Sequence, residues 1–451
     1  MKIYLLLLLV HSFVFGLSAQ ESILEDYIQE GIDQNLGIHN VNVEMEQEIL
    51  KLSIIKGKYL PTISFDASYI LSTGGRSIDF PIGDLFNPAY STLNELTNAN
   101  SFPTNIENFT ERFIPHNFHD TRIRLNYSIF NHSTYYQYKS QEKLIDLQTI
   151  KKEDYKQELR RDIKIAYYNY FKIIDILSAL EFNQTLLEQT LNFNKKLVKH
   201  QEVTDEVVAQ IQYKIEKNKA KIIEIEQKRN YAKNYFNTLL GRALDTSIEK
   251  GIQIKKEIEK RVVSNTNPQN NIRETNKFEL IQLAKNIELN KLEIESNQKK
   301  ILPTLGAELA AGFQGTGYKF TKDQALATIQ FRLNWLLFDG KQRKQKTELL
   351  QLESLKLENN YDELEQQINL DIIEKRHKLD ASKQTLIVTN AALKSARKNF
   401  DLTQKKYKNK QVILLEFLDA QTKYIGAQID ISISEYDLLI NQAFYDRAIS
   451  L

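Results

Sequence analysis

Four short segments of the chain alternate apolar and polar residues, as strands with one apolar and one polar face do. These segments lie at about residues 62–70, 121–130, 304–313 and 328–338. Each has the length of roughly 9–11 residues that a tilted strand needs to cross a bilayer. A soluble four-stranded sheet packed on helices would alternate in the same way. Charged residues within the segments, such as Arg122 and Glu308, favour strands with one face toward lipid and the other toward a polar lumen.

Two long stretches of the chain have the composition of helices. Residues 116–240 and 341–425 contain neither glycine nor proline, the two strongest breakers of regular structure. Apolar residues recur there at steps of three, four and seven, which places them on one helix face. This pattern predicts long helices at about 133–200 and 340–408, with returning helices at about 204–240 and 412–450.

The chain contains an internal duplication. Residues 59–62 (YLPT) reappear as 301–304 (ILPT), and 124–130 (RLNYSIF) reappear as 332–338 (RLNWLLF). Each half reads helix, strand, strand, long helix, returning helix, so we predict a mixed, mainly α fold built from two repeats. The first repeat spans residues 20–250 and the second 276–451, with an equatorial linker at 251–275.

The N-terminus and the composition indicate an exported protein without catalysis. A basic Lys2, an apolar run and the small Ala19 predict a signal peptide at residues 1–19. The chain has no cysteine, and its 60 basic and 58 acidic residues indicate no nucleic-acid partner. We find no nucleophile–base pattern and expect neither an enzyme nor a cofactor. His116 and His119 are interpreted as polar residues of the loop at about 71–119 rather than as a metal site.

Four strands per chain predict a homotrimer. An open sheet in lipid leaves backbone groups at its edges unpaired, so only a closed barrel is stable there. Two copies would give an eight-stranded barrel filled by its own side chains. Three copies give twelve strands and an open lumen, and outer-membrane lipid would surround them.

This arrangement resembles the TolC-like outer-membrane efflux family over essentially the whole mature chain. The duplicated LPT strand starts, the paired RLN-aromatic strands, Phe278-Glu279-Leu280 and the C-terminal segment 436–442 (YDLLINQ) carry the resemblance. The resemblance implies a trimeric channel with its barrel in the outer membrane and an α-helical barrel in the periplasm. It also implies docking to an inner-membrane transporter through a periplasmic adaptor protein, as the exit duct of a tripartite efflux or type I secretion system.

The resemblance also suggests a periplasmic gate. Glu416 and Asp419 match two acidic residues that line the periplasmic entrance in the family, and at this spacing they share one helix face. Six carboxylates in a trimer would favour cations. Repeat alignment places Val207 and Gln210 at the corresponding positions of the first half, so only one repeat supplies charge.

Further site residues follow from the strands and the helical turns. We expect Tyr127 and Trp335 at the membrane interface. The predicted pore-lining residues are Arg122, Arg124, Asn126, Glu308, Gln330, Arg332 and Asn334. The predicted adaptor-docking tips comprise His200, Gln201, Val203, Thr204, Asn409, Lys410 and Val412.

The tips and the gate depart from the family pattern. Glycine usually occurs in each tip turn, and here Asn409 is the residue best suited to a left-handed conformation, whereas the first tip has no obvious substitute. A basic residue that often partners the acidic pair is replaced near Val412. The alternative functions are a structural or adhesive coiled-coil protein without a pore and, less favoured, a soluble periplasmic binding protein. The long loop at about 71–119 has a composition that suits an extracellular cap.

Overall fold

The computed structural model describes residues 23–113, 116–251, 254, 258–259 and 277–450. The predicted signal peptide and nearly all of the predicted linker lie outside these residues. Within them the chain is mainly helical with a few antiparallel strands, which confirms the predicted fold class. No helix in this part of the chain is long and apolar enough to span a bilayer.

The two repeats share the order helix, strand, strand, long helix and returning helix, and the first repeat has additional elements. The first contains α1 (Ile23–Gln34), α2 (Leu36–Gly57), β1 (Thr62–Leu71), β2 (Ser77–Phe80), α3 (Ile82–Thr97), β3 (Phe109–Arg112), β4 (Asn117–Phe130), α4 (His132–Lys199) and α5 (Asp205–Leu240). The second contains α6 (Phe278–Lys299), β5 (Thr304–Thr316), β6 (Ala325–Asn334), α7 (Gln342–Lys408) and α8 (Leu414–Ile449). The helices α4 and α7 have 68 and 67 residues, in keeping with the absence of helix breakers.

The chain divides into two compact units, and the described residues of the first contain helices and no strand. It comprises Met1–Ile49, Lys143–Asn290 and Leu352–Leu451. Its largest core cluster is aromatic and includes Tyr27, Tyr167, Phe171, Phe236 and Tyr436. A second cluster, which includes Ile211, Tyr407 and Phe417, packs α4, α5, α7 and α8 together near the helical turns. Burial of these large side chains is the main stabilising contribution in such helix pairs.

The second unit contains the strands. It comprises Leu50–Glu142 and Lys291–Gln351, and its main sheet has the order β1-β4-β5-β6 with every pair antiparallel. The predicted strand at 328–338 is placed too late along the chain, because β6 begins at Ala325 and ends at Asn334. Trp335 follows the strand, and its indole N–H donates to the Ile301 carbonyl at 3.0 Å.

The interpretation of residues 71–119 as a plain loop is wrong. The segment forms the hairpin β2–β3, with Phe80 stacked on Phe109, and the 16-residue helix α3 between the two strands. His119 is also no loop residue, because it lies in β4 and is fully buried. Its Nε2 contacts Gln324 Oε1 at 2.9 Å, and its ring contacts Tyr318 and Phe320. The alternation of apolar residues in this segment is too weak to predict these elements.

Candidate functional site

The polar side chains of the four strands share one face of the sheet. Residues directly opposite each other in a sheet point to the same side. Asn126 of β4 lies opposite Thr62 and Glu308, and Glu308 lies opposite Gln330. Arg122 and Arg124 follow on β4, and Arg332 and Asn334 on β6, at the even-numbered positions of this face. A cavity against the sheet is lined by, among others, Thr62, Asn126, Glu308, Gln330, Arg332 and Asn334.

Ion pairs and a close backbone approach organise the charges of this polar face. Arg122 pairs with Asp120 on its own strand, and Arg124 lies 3.4 Å from Asp66 on β1. Gly312 lies opposite Arg122, and a Cβ there would come within 2.1 Å of the Thr121 carbonyl oxygen. Glycine is therefore required at this position of β5, where the backbone of β4 leaves no room for a side chain.

The opposite face of the sheet is apolar and exposed. Ile63 is 70% exposed and Phe331 is 68% exposed, and Phe65, Ile123 and Ile329 belong to the same face. A continuous apolar surface of this kind on a soluble protein would promote aggregation, whereas in a bilayer it contacts acyl chains. Tyr127 also lies on this face near the end of β4, while Trp335 lies just beyond β6.

The predicted docking tips are the two turns between long helices. His200, Gln201, Val203 and Thr204 connect α4 to α5, and Asn409, Lys410 and Val412 connect α7 to α8. The two valines are half-buried, whereas the other predicted tip residues are exposed. Lys410 forms an ion pair with Glu202, so a side chain absent from the predicted set joins the two turns.

Asn409, the residue best suited to the left-handed conformation by its type, does not adopt it. The residues with positive φ are Lys410 in the second turn and Gln201 in the first. The sequence could not indicate this, because neither residue type favours that conformation. The contacts of the turn impose it.

The predicted gate residues lie on the exposed side of α8. Glu416 and Asp419 are both exposed, while the neighbouring Phe417 and Leu418 are buried in the core near the turns. The Phe417 ring stacks on Tyr407 with centroids 4.8 Å apart, and the Tyr407 hydroxyl donates to Asn194 at 2.6 Å. Burial raises the pKa of Tyr407. A packed aromatic layer thus fixes the helix that presents the carboxylates.

A basic partner for the gate lies on α8 itself. The Nζ of Lys423 is 2.7 Å from the Asp419 Oδ2, one helical turn away. From the sequence we expected the basic partner to be missing, because it is replaced near Val412, and Lys423 was not singled out, although its spacing of four from Asp419 is a signal for pairing. Within the described residues, no ion pair or hydrogen bond involves the Glu416 side chain.

The first repeat offers no matching charge. Counted from the positive-φ residue of each turn, Val207 and Gln210 of α5 occupy the positions of Glu416 and Asp419 of α8. The two repeats therefore differ in charge at these positions.

The first unit also holds a charge cluster that the sequence did not predict. Arg447 is only 10% exposed, pairs with Asp154 and lies 3.0 Å from Glu279. Burial raises the pKa of Asp154, and the neighbouring Glu279 adds to the shift. The Nζ of Lys277 donates to the Ser450 carbonyl at 2.6 Å, which attaches the start of α6 to the end of α8. Among the described residues, no group of histidines and carboxylates is arranged to hold a metal ion.

Comparisons with known proteins find the same combination of a sheet with an exposed apolar face and two helices of nearly 70 residues. A family model described as outer membrane efflux protein matches residues 273–445. No curated protein matches the chain.

Solved structures share the fold over most of the chain. The Campylobacter jejuni CmeC outer membrane channel has a TM-score of 0.74 at 13% identity, covering 95% of this chain and 85% of that one. The Neisseria gonorrhoeae MtrE outer membrane channel has a TM-score of 0.72 at 12% identity, covering 94% and 88%. The Vibrio cholerae outer membrane protein VceC has a TM-score of 0.71 at 12% identity, covering 94% and 95%.

The family match thus covers the second half of the chain, and the fold of nearly the whole chain is that of solved outer membrane channels, in agreement with the resemblance seen in the sequence. The outer-membrane location predicted from the sequence agrees with the descriptions of this family and of these structures. The matched family is described as an efflux protein, and CmeC and MtrE as channels, in agreement with the prediction from the sequence that the chain is not an enzyme.

Proposed function

We propose that three copies of the chain close a twelve-stranded barrel in the outer membrane. The trimer is the exit duct of a tripartite efflux or type I secretion system. It docks to a periplasmic adaptor protein and, through it, to an inner-membrane transporter. The observation that supports this proposal best is an open four-stranded sheet whose apolar face is exposed and whose two outer strands, β1 and β6, pair with no further strand among the described residues.

The open edges require partners. Each unpaired backbone N–H or C=O in hydrocarbon costs several kcal/mol, so a sheet of four strands is unstable there by itself. Because all three strand pairs are antiparallel, β1 and β6 run in opposite directions. The β6 edge of one copy can therefore pair with the β1 edge of the next and continue the antiparallel order. This is a head-to-tail contact, which closes into a ring.

The width of the barrel favours three copies. Eight strands would enclose only their own side chains, whereas twelve leave a lumen. The polar face with Arg122, Glu308 and Arg332 would then line that lumen, and the apolar face with Ile63 and Phe331 would contact lipid. Tyr127 and Trp335 would lie at the interface of the bilayer.

The helical turns supply the two remaining parts of the proposed duct. The exposed tip residues, among them Gln201 and Lys410, form the adaptor-docking surface. Glu416 and Asp419 face the entrance, where three copies bring six carboxylates and three Lys423 side chains together. The surplus of negative charge favours the passage of cations at this point.

Cross-linking between strand edges tests the closure. The natural chain has no cysteine. A cysteine at Ser64 of β1 is combined in turn with one at Thr328, Gln330 or Arg332 of β6, all of them on the polar face. We expect one combination to give covalent trimers in native membranes. The matched control places the first cysteine at Phe65, on the opposite face, and should give none. Failure of every combination would contradict the closure.

Conductance separates the duct from a structural or adhesive protein without a pore. Purified trimers in a planar bilayer should conduct ions, at least after Glu416→Ala with Asp419→Ala opens the entrance. Trimers that remain closed to ions in both forms would overturn the proposed function.

A further inference from the structure

The helix α3, between β2 and β3, has its polar side turned toward its own chain. Asn87 and Asn94 each make two hydrogen bonds to main-chain groups of the segment 102–108: Asn87 with Ile106 and Asn94 with Phe102, at 2.8–3.0 Å. Asn108 in turn accepts from the amides of Gly83 and Asp84 in the first helical turn. The side of α3 that would normally contact water is thus bonded to a loop.

Close backbone contact fixes this orientation. A Cβ at Gly83 would lie 2.1 Å from the Ile106 carbonyl oxygen, so the helix and the loop touch main chain to main chain. The helix ends at Asn98, which has a φ of 50°, and the Ala99 amide donates to the Asn94 carbonyl at 3.2 Å. Contacts fix both ends of α3, so the helix cannot rotate to turn its apolar side toward its own chain.

The apolar side of α3 is left facing outward. Leu85 is 67% exposed and Leu96 is 76% exposed, and Phe86 and Leu93 are exposed beside them. At their spacing these four side chains form one stripe along the helix. An amphipathic helix with its apolar stripe in solvent is unfavourable, so another surface must cover it.

Charge argues against lipid as that surface. Residues 77–111 contain five acidic residues and no Lys, Arg or His, in a chain with 60 Lys and Arg residues. Amphipathic helices that lie on membranes usually place Lys and Arg on their polar side, where these contact anionic headgroups. An acidic segment is repelled by such headgroups.

The position of α3 in the chain favours a second copy of the chain. Five residues, 72–76, join the edge strand β1 to β2, which at ~3.5 Å per residue allows less than ~25 Å of separation. Four residues, 113–116, join β3 to β4. The segment therefore stays close to the edge strand, which is where the next copy attaches in the proposed trimer.

We propose that the apolar stripe of α3 packs against the same stripe of the two other copies around the threefold axis and narrows the outer mouth of the channel. This proposal rests on the trimer of the proposed function. Each copy contributes Leu85, Phe86, Leu93 and Leu96 to a shared apolar contact, while the acidic residues remain in water.

Cysteine cross-linking of the assembled protein in native membranes tests the contact. Treatment of the Leu96→Cys variant with a short bis-maleimide should produce a gel band with the mass of two linked chains. The matched control is Glu95→Cys, because Glu95 is the adjacent exposed residue outside the apolar stripe. Its gel band should keep the mass of a single chain. Leu96→Cys is not expected to impair folding, because the side chain is exposed.

The remaining outcomes are distinguishable. Particles that light scattering shows to be trimeric but in which Leu96→Cys is not cross-linked would overturn the α3 contact and leave the trimer intact. Quenching of a fluorophore on Leu96→Cys by spin-labelled lipid would identify lipid as the covering surface and overturn the proposal as well. Monomeric particles would instead refute the proposed function.

A conductance measurement supplies a second readout. Leu85→Gln with Leu96→Gln should increase the conductance of trimers in a planar bilayer, because the apolar contact at the outer mouth is lost. An unchanged conductance would contradict the narrowing of the mouth by α3.

Discussion

Gln201 and Lys410 adopt the same left-handed backbone conformation, with φ of 58° and 61°, at corresponding positions of the two helical turns. In the first turn the Glu202 amide donates to the Leu197 carbonyl at 3.0 Å, and in the second the Gln411 amide donates to the Lys406 carbonyl at 2.9 Å. This is the hydrogen-bond pattern with which glycine commonly ends a helix. The two repeats thus make the same turn without glycine.

The left-handed residue of the first turn predicts a stabilising substitution. An L-residue in this conformation costs about 1–2 kcal/mol relative to the right-handed form, and glycine avoids most of this cost. Gln201→Gly should therefore raise the free energy of unfolding, by at most roughly 1 kcal/mol. The larger conformational entropy of glycine in the unfolded chain offsets part of this gain. The midpoint of denaturant unfolding of the detergent-solubilised protein measures it. His200→Gly, without positive φ, is the control and should lower stability; equal effects of the two substitutions would refute the explanation.

The proposed gate predicts a change in ion selectivity. Glu416→Ala with Asp419→Ala removes six carboxylates from the entrance of a trimer and should weaken both cation selectivity and block by divalent ions. The reversal potential of single channels under a salt gradient measures the selectivity. If the double variant has the reversal potential of the natural protein, the assignment of the gate is wrong.

Lys423 predicts a change in the opposite direction. Its ammonium group lies 2.7 Å from the Asp419 carboxylate and offsets part of that charge. Lys423→Gln should therefore increase cation selectivity, most clearly at low ionic strength where charges are least screened. Lys214 of α5 stands at the same distance from its turn and has the uncharged Gln210 at the position that corresponds to Asp419, so Lys214→Gln is the matched control. A larger effect from Lys214 than from Lys423 would argue against the ion pair as the cause.

The proposed closed barrel predicts a position at which proline is not tolerated. Leu125 lies in β4, an inner strand paired on both sides with Ile63 and Leu309. Leu125→Pro removes a backbone donor within lipid and should abolish trimers that resist heat on a gel. Leu125→Ala keeps the donor and should leave such trimers detectable. Heat-resistant trimers of the proline variant would show that this strand is not part of the barrel.

The strands and long helices could be predicted from the sequence because their signals are local. The alternation of Arg122, Arg124 and Asn126 with apolar residues is visible within one segment, and the same polar face appears in the register of the sheet. The absence of glycine and proline likewise marked α4 and α7. The end of β6 was misplaced because Leu336, Leu337 and Phe338 are apolar without alternating, although the strand ends at Asn334.

The contacts between distant parts of the chain could not be predicted. Nothing near Asp154 or Glu279 indicates that both meet Arg447, which lies 293 and 168 residues away. The same holds for Glu202 and Lys410, since only the antiparallel return of the helices brings the two turns together. The helix α3 was missed for another reason: its asparagines and its internal Pro88 resemble a loop, and their hydrogen bonds to residues 102–108 are needed to explain them.

Lys277 predicts that stability rises with pH above neutrality. Burial lowers the pKa of Lys277 from 10.5 to about 8, and the nearby Arg447 adds to the shift. Between these two values the unfolded chain binds a proton that the folded chain does not, so the folded state gains stability as pH increases through this range. Below pH 8 both states are protonated and this gain is absent. A shift of this size corresponds to roughly 3 kcal/mol when complete.

The thermal midpoint of the solubilised protein at pH 7 and at pH 10, recorded at one heating rate, measures this gain in stability. Lys277→Met should flatten this dependence, whereas Lys291→Met, at an exposed position of the same helix, should retain it. A flat profile in the natural protein would mean that the folded state keeps Lys277 charged despite its burial.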